Sequence, residues 1–396
     1  MNDLAPAGSG LGPLPRWSLA DLYESPSSPA IDADLARAKG MAEEFRRRWE
    51  GKLAGATGEA LAEAVRGYEA LQDLLGRIGS YAQLLYAGDM TDPAAGRFQQ
   101  TIQERTTDIS AETIFFALEL NKLDDKDITT KLEAPGLAHY RPWIETVRAF
   151  RPHQLSDEVE RLLHDKSVVG RAAWNRLFDE SLAMARFSVE GRELTIDETL
   201  NQLTDRDGAR RRAAAKALAT GLDARKATLA LITNTLAKDK EIEDRWRHFA
   251  RPVSSRNLGN QVEDEVVEAL RKSVTGAYPR LSHRYYKIKA KWFGGESLDY
   301  WDRNAPLPED SDRKIGWTQA KEIVLGAYSA FSPDLATIVE RFFDRSWIDA
   351  GPRPGKAPGA FAHPVTPSAH PYVLLNYYGR TRDVMTLAHE LGHGAH

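Results

Sequence analysis

From residue 31 onward the apolar residues recur at three- and four-residue spacing, and the alternation of a strand is almost missing. That period lays an apolar stripe along one side of a helix, and each stripe has to be buried against another, so the chain is committed to an assembly of packed helices. Helices are predicted over 31–52, 59–88, 93–123 and 155–185, segments rich in Ala, Leu, Glu and Arg, which cost least in a helix. Short breaks at Gly88-Asp89, Ala134-Pro135-Gly136 and Arg151-Pro152 separate them. The run FSVEGREL at 187–194 predicts a small hairpin turning at Glu190-Gly191. Helices resume over 196–200, 206–222, 224–244 and 263–293, with one more over 317–343. The basic run Arg210-Arg211-Arg212 reads as a solvated helix face, because acidic residues flank it. The fold class is mainly α.

A chain of 396 residues exceeds what one hydrophobic core ordinarily organises, so two or three domains are expected. Residues 1–16, rich in Gly and Pro, read as a disordered tail, and 17–115 as a first helical region. After Gly294 the texture changes. Pro, Gly and aromatic residues dominate 301–308 and 351–371, and loop-rich segments carry sites more often than helix interiors do. The apolar fraction of 42% and the charged fraction of 28% are those of a soluble globular protein. With a net charge of -4 and cations interleaved among anions, there is no electrostatic footprint for nucleic acid or an anionic membrane, and neither is expected as a partner. The chain has no cysteine, hence no disulfide framework, thiolate metal site or cysteine nucleophile. It has no run of about 18 apolar residues, and its first residues show neither a basic segment nor an apolar one. A soluble, cytoplasmic protein is expected.

The chemistry is concentrated in TLAHELGHGAH, 386–396. A helix turns about 100° per residue, so with His389 at zero, His393 falls at about 40°, Glu390 at about 100° and His396 at about -20°. Val384, Leu387, Ala388 and Leu391 fall between about 160° and 260°, so one side can enter a core while the other presents two imidazoles to a common point. That is the arrangement His-Glu-x-x-His needs to hold zinc. Chance would place such a motif in roughly 0.02 of chains this long, which makes coincidence a poor explanation. His389 and His393 are the candidate zinc ligands. A zinc ion with an open position lowers the pKa of its bound water to about 7, and Glu390 is the candidate general base that takes the proton. His396 lies about 10 Å along the axis from His389, too far to share one ion, and is read as supporting the site from behind. Asp383 reads as a residue that starts the helix, and His363, His370 and Asp349 are left unassigned.

Several stretches taken together are similar to the oligoendopeptidase F branch of the thimet oligopeptidase superfamily of zinc metallopeptidases. They are GKAPGAF at 355–361, PYVLLNYYG at 371–379 and DVMTLAHELGH at 383–393, with RWSLADLY at 16–23, RPHQLSDEVERLL at 151–163, AWNRLFDE at 173–180, HRYYKIKAKWFGG at 283–295 and YWDRNAPLP at 300–308. The resemblance implies a multi-helix zincin-type oligopeptidase fold around a deep channel, with a small β-element beside the HExxH helix. It implies an oligopeptidase F N-terminal-type helical domain over 116–195 and a metallopeptidase catalytic domain over 196–396. It further implies one Zn2+ held by His389 and His393, Glu390 as general base, and short peptides as substrates. An edge strand that pairs with the substrate backbone is expected at Gly359, Ala360 and Phe361; such pairing reads main chain and tolerates many sequences.

Two departures stand out. Gly394 occupies a position where Ala is usual, at a cost of about 1 kcal/mol in helix propensity. The family's third zinc ligand, a glutamate on a later helix, and its oxyanion-stabilising groups would lie beyond His396, so the catalytic domain is expected to be incomplete at its C-terminal end and the isolated chain inactive or weakly active. The alternative is a catalytically inactive helical peptide-binding or scaffold protein with a vestigial HExxH.

Overall fold

The computed structural model describes residues 10–308 and 313–396. Its helices are α1 (Pro29–Trp49), α2 (Gly58–Gly88), α3 (Pro93–Ala111), α4 (Ile114–Lys122), α5 (Asp125–Lys131), α6 (Pro135–Ala138), α7 (Arg141–Ala149), α8 (Asp157–Lys166) and α9 (Arg171–Ala183). The hairpin β1 (Phe187–Val189) and β2 (Arg192–Leu194) follows, then α10 (Ile196–Gln202), α11 (Gly208–Asp223), α12 (Lys226–Trp246), α13 (Ser254–Gly259), α14 (Asp264–Ala277) and α15 (Ser282–Trp292). Last come α16 (Trp317–Phe331), α17 (Pro333–Asp344), the strands β3 (Ile348–Asp349), β4 (Phe361–His363) and β5 (Tyr372–Leu374), and α18 (Thr381–Ala395). The architecture is mainly α, as the periodicity predicts. At the hairpin, Glu190 and Gly191 both have positive φ, 51° and 79°, the backbone that a two-residue turn matched to strand twist requires.

Four of the expected helices, 93–123, 155–185, 263–293 and 317–343, are each divided in two, and prolines account for the last two breaks. The stretch 317–343 divides at Pro333, which has no N–H to donate; Ser332 caps the second half by accepting from the Leu335 N–H at 3.4 Å. Pro279 likewise falls in the gap between α14 and α15. The basic run is not a solvated face throughout. Arg211 is buried, with its guanidinium on Asp302 at 2.6 and 2.9 Å and on the carbonyls of Asp205 and Arg206. The flanking acids marked a charged surface but gave no sign of a carboxylate arriving from ninety positions away. Of the expected tail, residues 1–9 lie outside the described residues, while 10–16 are docked rather than disordered. Leu11 and Leu14 are buried, the Leu11 carbonyl accepts from the Trp317 N–H at 2.8 Å, and the Pro15 carbonyl from the Ala350 N–H at 3.0 Å.

One apolar cluster joins the two ends of the chain. It contains Leu35 of α1, Leu71 and Ile78 of α2, Ile102 of α3, Val324 of α16, Phe342 of α17, Tyr372 and Val373 of β5, and Leu387 and Leu391 of α18. A second cluster packs Phe45, Leu61 and Val65 against Phe116, Leu120, Leu137 and Ile144. The three-stranded sheet has the order β3-β5-β4, with β3 parallel and β4 antiparallel to β5, and α18 packs on β4 and β5. β4 is therefore an edge.

The loop between β3 and β4 is organised by a buried ionic cluster. Lys356 Nζ lies 2.6 Å from Asp349 Oδ1 and donates to the carbonyls of Leu375 (2.7 Å), Gly351 (3.0 Å) and Asp349 (3.1 Å). Arg353 grips both oxygens of the same carboxylate, at 2.7 and 2.9 Å, and reaches the Gly88 carbonyl. Burial pushes the Lys356 ammonium down to about 8, against the pull of Asp349. Removing the shared anion would strand two cations, one of them fully enclosed. Asp349→Ala is expected to lower unfolding free energy by about 3–5 kcal/mol in urea titration; a loss below about 1 kcal/mol would show that the cluster is not what holds this loop.

His363 of β4 forms a joint with α2, its Nε2 2.9 Å from Ser80 Oγ. Burial lowers its pKa, so the folded chain favours the neutral ring. Below about pH 6.5 the unfolded chain takes up a proton that the folded chain resists, so the joint's stability is present above the unfolded pKa and is lost as pH falls through the folded one. The urea midpoint of the wild type should therefore fall more steeply from pH 7 to pH 5 than that of His363→Gln, and equal slopes would clear His363 of the effect.

Candidate metal centre

The centre is carried by α18, and the start of that helix is fixed by a carboxylate. Asp383 Oδ2 accepts from the N–H groups of Tyr378 and Arg380, both at 2.9 Å, satisfying donors that have no partner within the helix. Val384, Leu387, Leu391 and Gly394 are buried while His389, His393 and His396 are exposed, which is the division of faces the wheel gives. Glu390 differs from the expectation that all the ionisable groups share the open face: it is buried, because it lies only about 60° around the helix from Leu387.

Two neighbouring helices approach α18 through its glycines. The Tyr328 hydroxyl of α16 donates to the Ala388 carbonyl at 2.6 Å, and a Cβ on Gly392 would stand 3.1 Å from the Tyr328 hydroxyl oxygen. A Cβ on Gly394 would stand 2.7 and 2.9 Å from the ring of Phe342, a fully buried side chain of α17. The propensity cost of Gly394 is thus offset by a close helix contact that Ala would disrupt, which corrects the view of it as a bare loss. Gly394→Ala is expected to destabilise the protein by about 1–3 kcal/mol in thermal or urea melts, although Ala favours an isolated helix by about 1 kcal/mol. A gain in stability would refute the close packing.

The two imidazoles converge. His389 Nε2 and His393 Nε2 are 3.1 Å apart, with ring centroids 4.7 Å apart and planes at 88°. Two nitrogens on one tetrahedral zinc, each about 2.0–2.1 Å from it, stand about 3.3 Å apart, so the spacing and the neutral donor type fit that ion. No group of three His, Cys, Asp or Glu able to hold a metal occurs among the described residues. The unassigned residues are engaged elsewhere. Asp349 belongs to the lysine cluster and His363 to the Ser80 joint, and His370 stacks on Trp347 at 3.7 Å with Nε2 3.0 Å from Asp21. His396 is exposed at the end of α18, where its N–H donates to the Gly392 carbonyl.

The expected edge strand is shifted. Gly359 and Ala360 precede it, and β4 runs from Phe361 to His363. Gly359 has φ 76°, its N–H faces Asp197 Oδ1 at 3.4 Å, and its carbonyl accepts from Asn376 Nδ2 at 3.1 Å, so its main chain is already used. The N–H groups of Val373 and Leu375 point toward β3. By alternation Tyr372 and Leu374 pair with His363 and Phe361, which leaves the N–H and C=O of Ala362 directed outward at the open edge. Tyr328, Phe342, Asn376 and Ala362 escape sequence reasoning because each acts through tertiary proximity.

A helical chain with an HExxH helix laid against a small mixed sheet defines the class of zincin-type folds, and comparison with known proteins identifies the family. Residues 119–187 match the family model Oligopeptidase F and residues 201–396 match the model Peptidase family M3. The chain is 25% identical over 391 residues to Oligopeptidase PepF of Bacillus subtilis, covering 96% of this chain and 57% of that protein. It is 27% identical over 329 residues to Group B oligopeptidase PepB of Streptococcus agalactiae, covering 81% and 54%. The crystal structure of oligoendopeptidase-F from Enterococcus faecium aligns with a TM-score of 0.64 at 20% identity, over 80% of this chain and 62% of that one. PZ peptidase A with an inhibitor aligns with a TM-score of 0.72 at 17% identity, over 92% and 62%. The chain belongs to peptidase family M3, on its oligoendopeptidase F side. It spans little more than half the length of these two curated relatives.

Proposed function

We propose that the protein serves as a zinc-dependent endopeptidase of short peptides. The observation that carries this reading is the convergence of His389 and His393 Nε2 to 3.1 Å on a helix whose next residue after His389 is a buried glutamate. His389 and His393 would hold one Zn2+, which when bound supplies a Lewis acid and acidifies water. Glu390 takes the proton from the attacking water and returns it to the leaving amine. The Ala362 N–H and C=O pair with the peptide main chain as an added strand, which holds the scissile bond and reads little of its sequence. Short peptides are the substrates. The cysteine-free sequence suits a reducing compartment, and the cytoplasm is the proposed location.

A second reading is a peptide-binding or scaffold protein with a vestigial HExxH, favoured by the lack of a third donor beside the two imidazoles among the described residues. Zinc titration separates the two when combined with a quenched fluorescent peptide. The chain should take up one Zn2+, His389→Ala and His393→Ala should lose it, and Glu390→Gln should keep it. Whatever cleavage the wild type shows should stop with chelator and fall by about 10²–10⁴ in Glu390→Gln. Cleavage that ignores chelator would overturn the zinc reading, and peptide binding with no cleavage at any zinc concentration would favour the scaffold.

A further inference from the structure

β4 and α18 pack directly on each other, and α10 reaches the segment that leads into each of them. Asp197 is the second residue of α10, whose start is already closed without it: Thr195 Oγ1 accepts from the Glu198 N–H, and the Glu198 carboxylate accepts from the Thr195 N–H. The Asp197 carboxylate turns away from its own helix. Oδ2 accepts from the Tyr378 hydroxyl at 2.6 Å, and Oδ1 faces the Gly359 N–H at 3.4 Å. Gly359 stands two residues before β4, and Tyr378 three residues before α18. Near the other end of α10 the Arg380 guanidinium donates to the Thr204 carbonyl, so the same short helix and its flank touch the approach to α18 twice.

The space between these groups decides what kind of site this is. It is lined by Thr195, Asp197 and Glu198 on one side and by Arg353, Lys356 and Tyr378 on the other, and at about 20 Å³ it has room for one water. That is too small for a substrate or cofactor. Even a half-buried carboxylate is costly unless it is bonded, and the partners of this one belong to the two segments that frame the proposed site. Burial raises the Asp197 carboxyl above its ordinary range, while the bonds from Tyr378 and Gly359 and the nearby Lys356 ammonium oppose that shift.

We infer that Asp197 is a positioning residue: its carboxylate clasps the approach to β4 through Gly359 and the approach to α18 through Tyr378, setting the peptide-pairing edge in register with the imidazole pair. This rests on the reading of β4 and α18 as two halves of one peptide-hydrolysing site. Asn376, two residues before Tyr378, already joins the two segments by donating to the carbonyls of Ala357 and Gly359, and Asp383 fixes the turn into α18 through the N–H groups of Tyr378 and Arg380. What Asp197 adds is a tie from both segments to α10, outside that direct link.

The test compares the intact chain with Asp197→Ala, Asp197→Asn and Tyr378→Phe. In Asp197→Ala, amides of β4 and of the first turn of α18 should exchange with deuterium about tenfold faster, while those of α1 to α3 keep wild-type rates. Tyr378→Phe should speed α18 and spare β4. Asp197→Asn keeps an accepting oxygen and should restore most of the protection. A fluorescein-labelled nonapeptide should lose about fivefold in affinity in Asp197→Ala and regain it in Asp197→Asn, with Co2+ affinity at the imidazole pair unchanged. Uniformly faster exchange, unchanged exchange at β4 and α18, or an Asn variant no better than Ala overturns the positioning role. A wild-type chain that binds neither the nonapeptide nor Co2+ overturns the underlying site reading instead, and the exchange pattern tells that failure from failure of the clasp.

Discussion

Burial of one face of α18 is the constraint on which the candidate centre depends. Val384, Leu387 and Leu391 enter a core shared with α1, α2, α16, α17 and β5. Each such side chain is worth about 1.5–3 kcal/mol when fully buried, so turning the helix about its axis would expose several kcal/mol of apolar surface. Once that azimuth is fixed, a residue two positions from Leu387 and another two from Leu391 have no choice but to face outward. The core therefore puts both imidazoles on one face of the helix, where their Nε2 atoms stand 3.1 Å apart.

The segment between β3 and β4 presents the opposite problem, since it has no ladder of its own to satisfy its carbonyls. Side chains take over that role. Lys356 spends its donors on the carbonyls of Asp349, Gly351 and Leu375 and on the Asp349 carboxylate, and Asn376 serves the carbonyls of Ala357 and Gly359. An ammonium can do this only if its charge is balanced, and Asp349 provides the balance. A loop of irregular backbone can then lie still against a core, and the strand that follows it starts from a defined place.

The elements of the fold were legible wherever one period dominated. The stripe of α2, the apolar face of α18 and the turn at Glu190-Gly191 are local facts, written in residues a few positions apart. What was not legible was long-range and polar. Arg211 looked like surface because its partner, Asp302, is supplied by a distant loop. Leu11 and Leu14 looked like part of a tail because their Gly- and Pro-rich neighbours suit loops, yet two leucines were enough to dock the segment against Trp317 and Ala350. The edge strand was misplaced because Gly359 reads as extended backbone until Asn376 and Asp197 are seen to occupy its main chain. At the centre, spacing alone predicted the His389 and His393 pair, but the burial of Glu390 and the use of Gly392 and Gly394 as contact surfaces required neighbours from α16 and α17.

The same helix geometry limits where a further donor can come from. On α18 a third group on the imidazole face would stand one or two turns away, and His396 is already about 10 Å along the axis from His389, beyond the reach of a shared ion. The elements packed against α18 bring Tyr328, Phe342, the apolar β5 and His363 of β4; the Tyr328 hydroxyl is committed to the Ala388 carbonyl and the His363 ring to Ser80. Those contacts lie on the buried side, whereas the imidazoles look the other way. Any further donor to the proposed zinc would therefore have to approach from the open face. The core that orients the two histidines is for the same reason unable to supply their third partner.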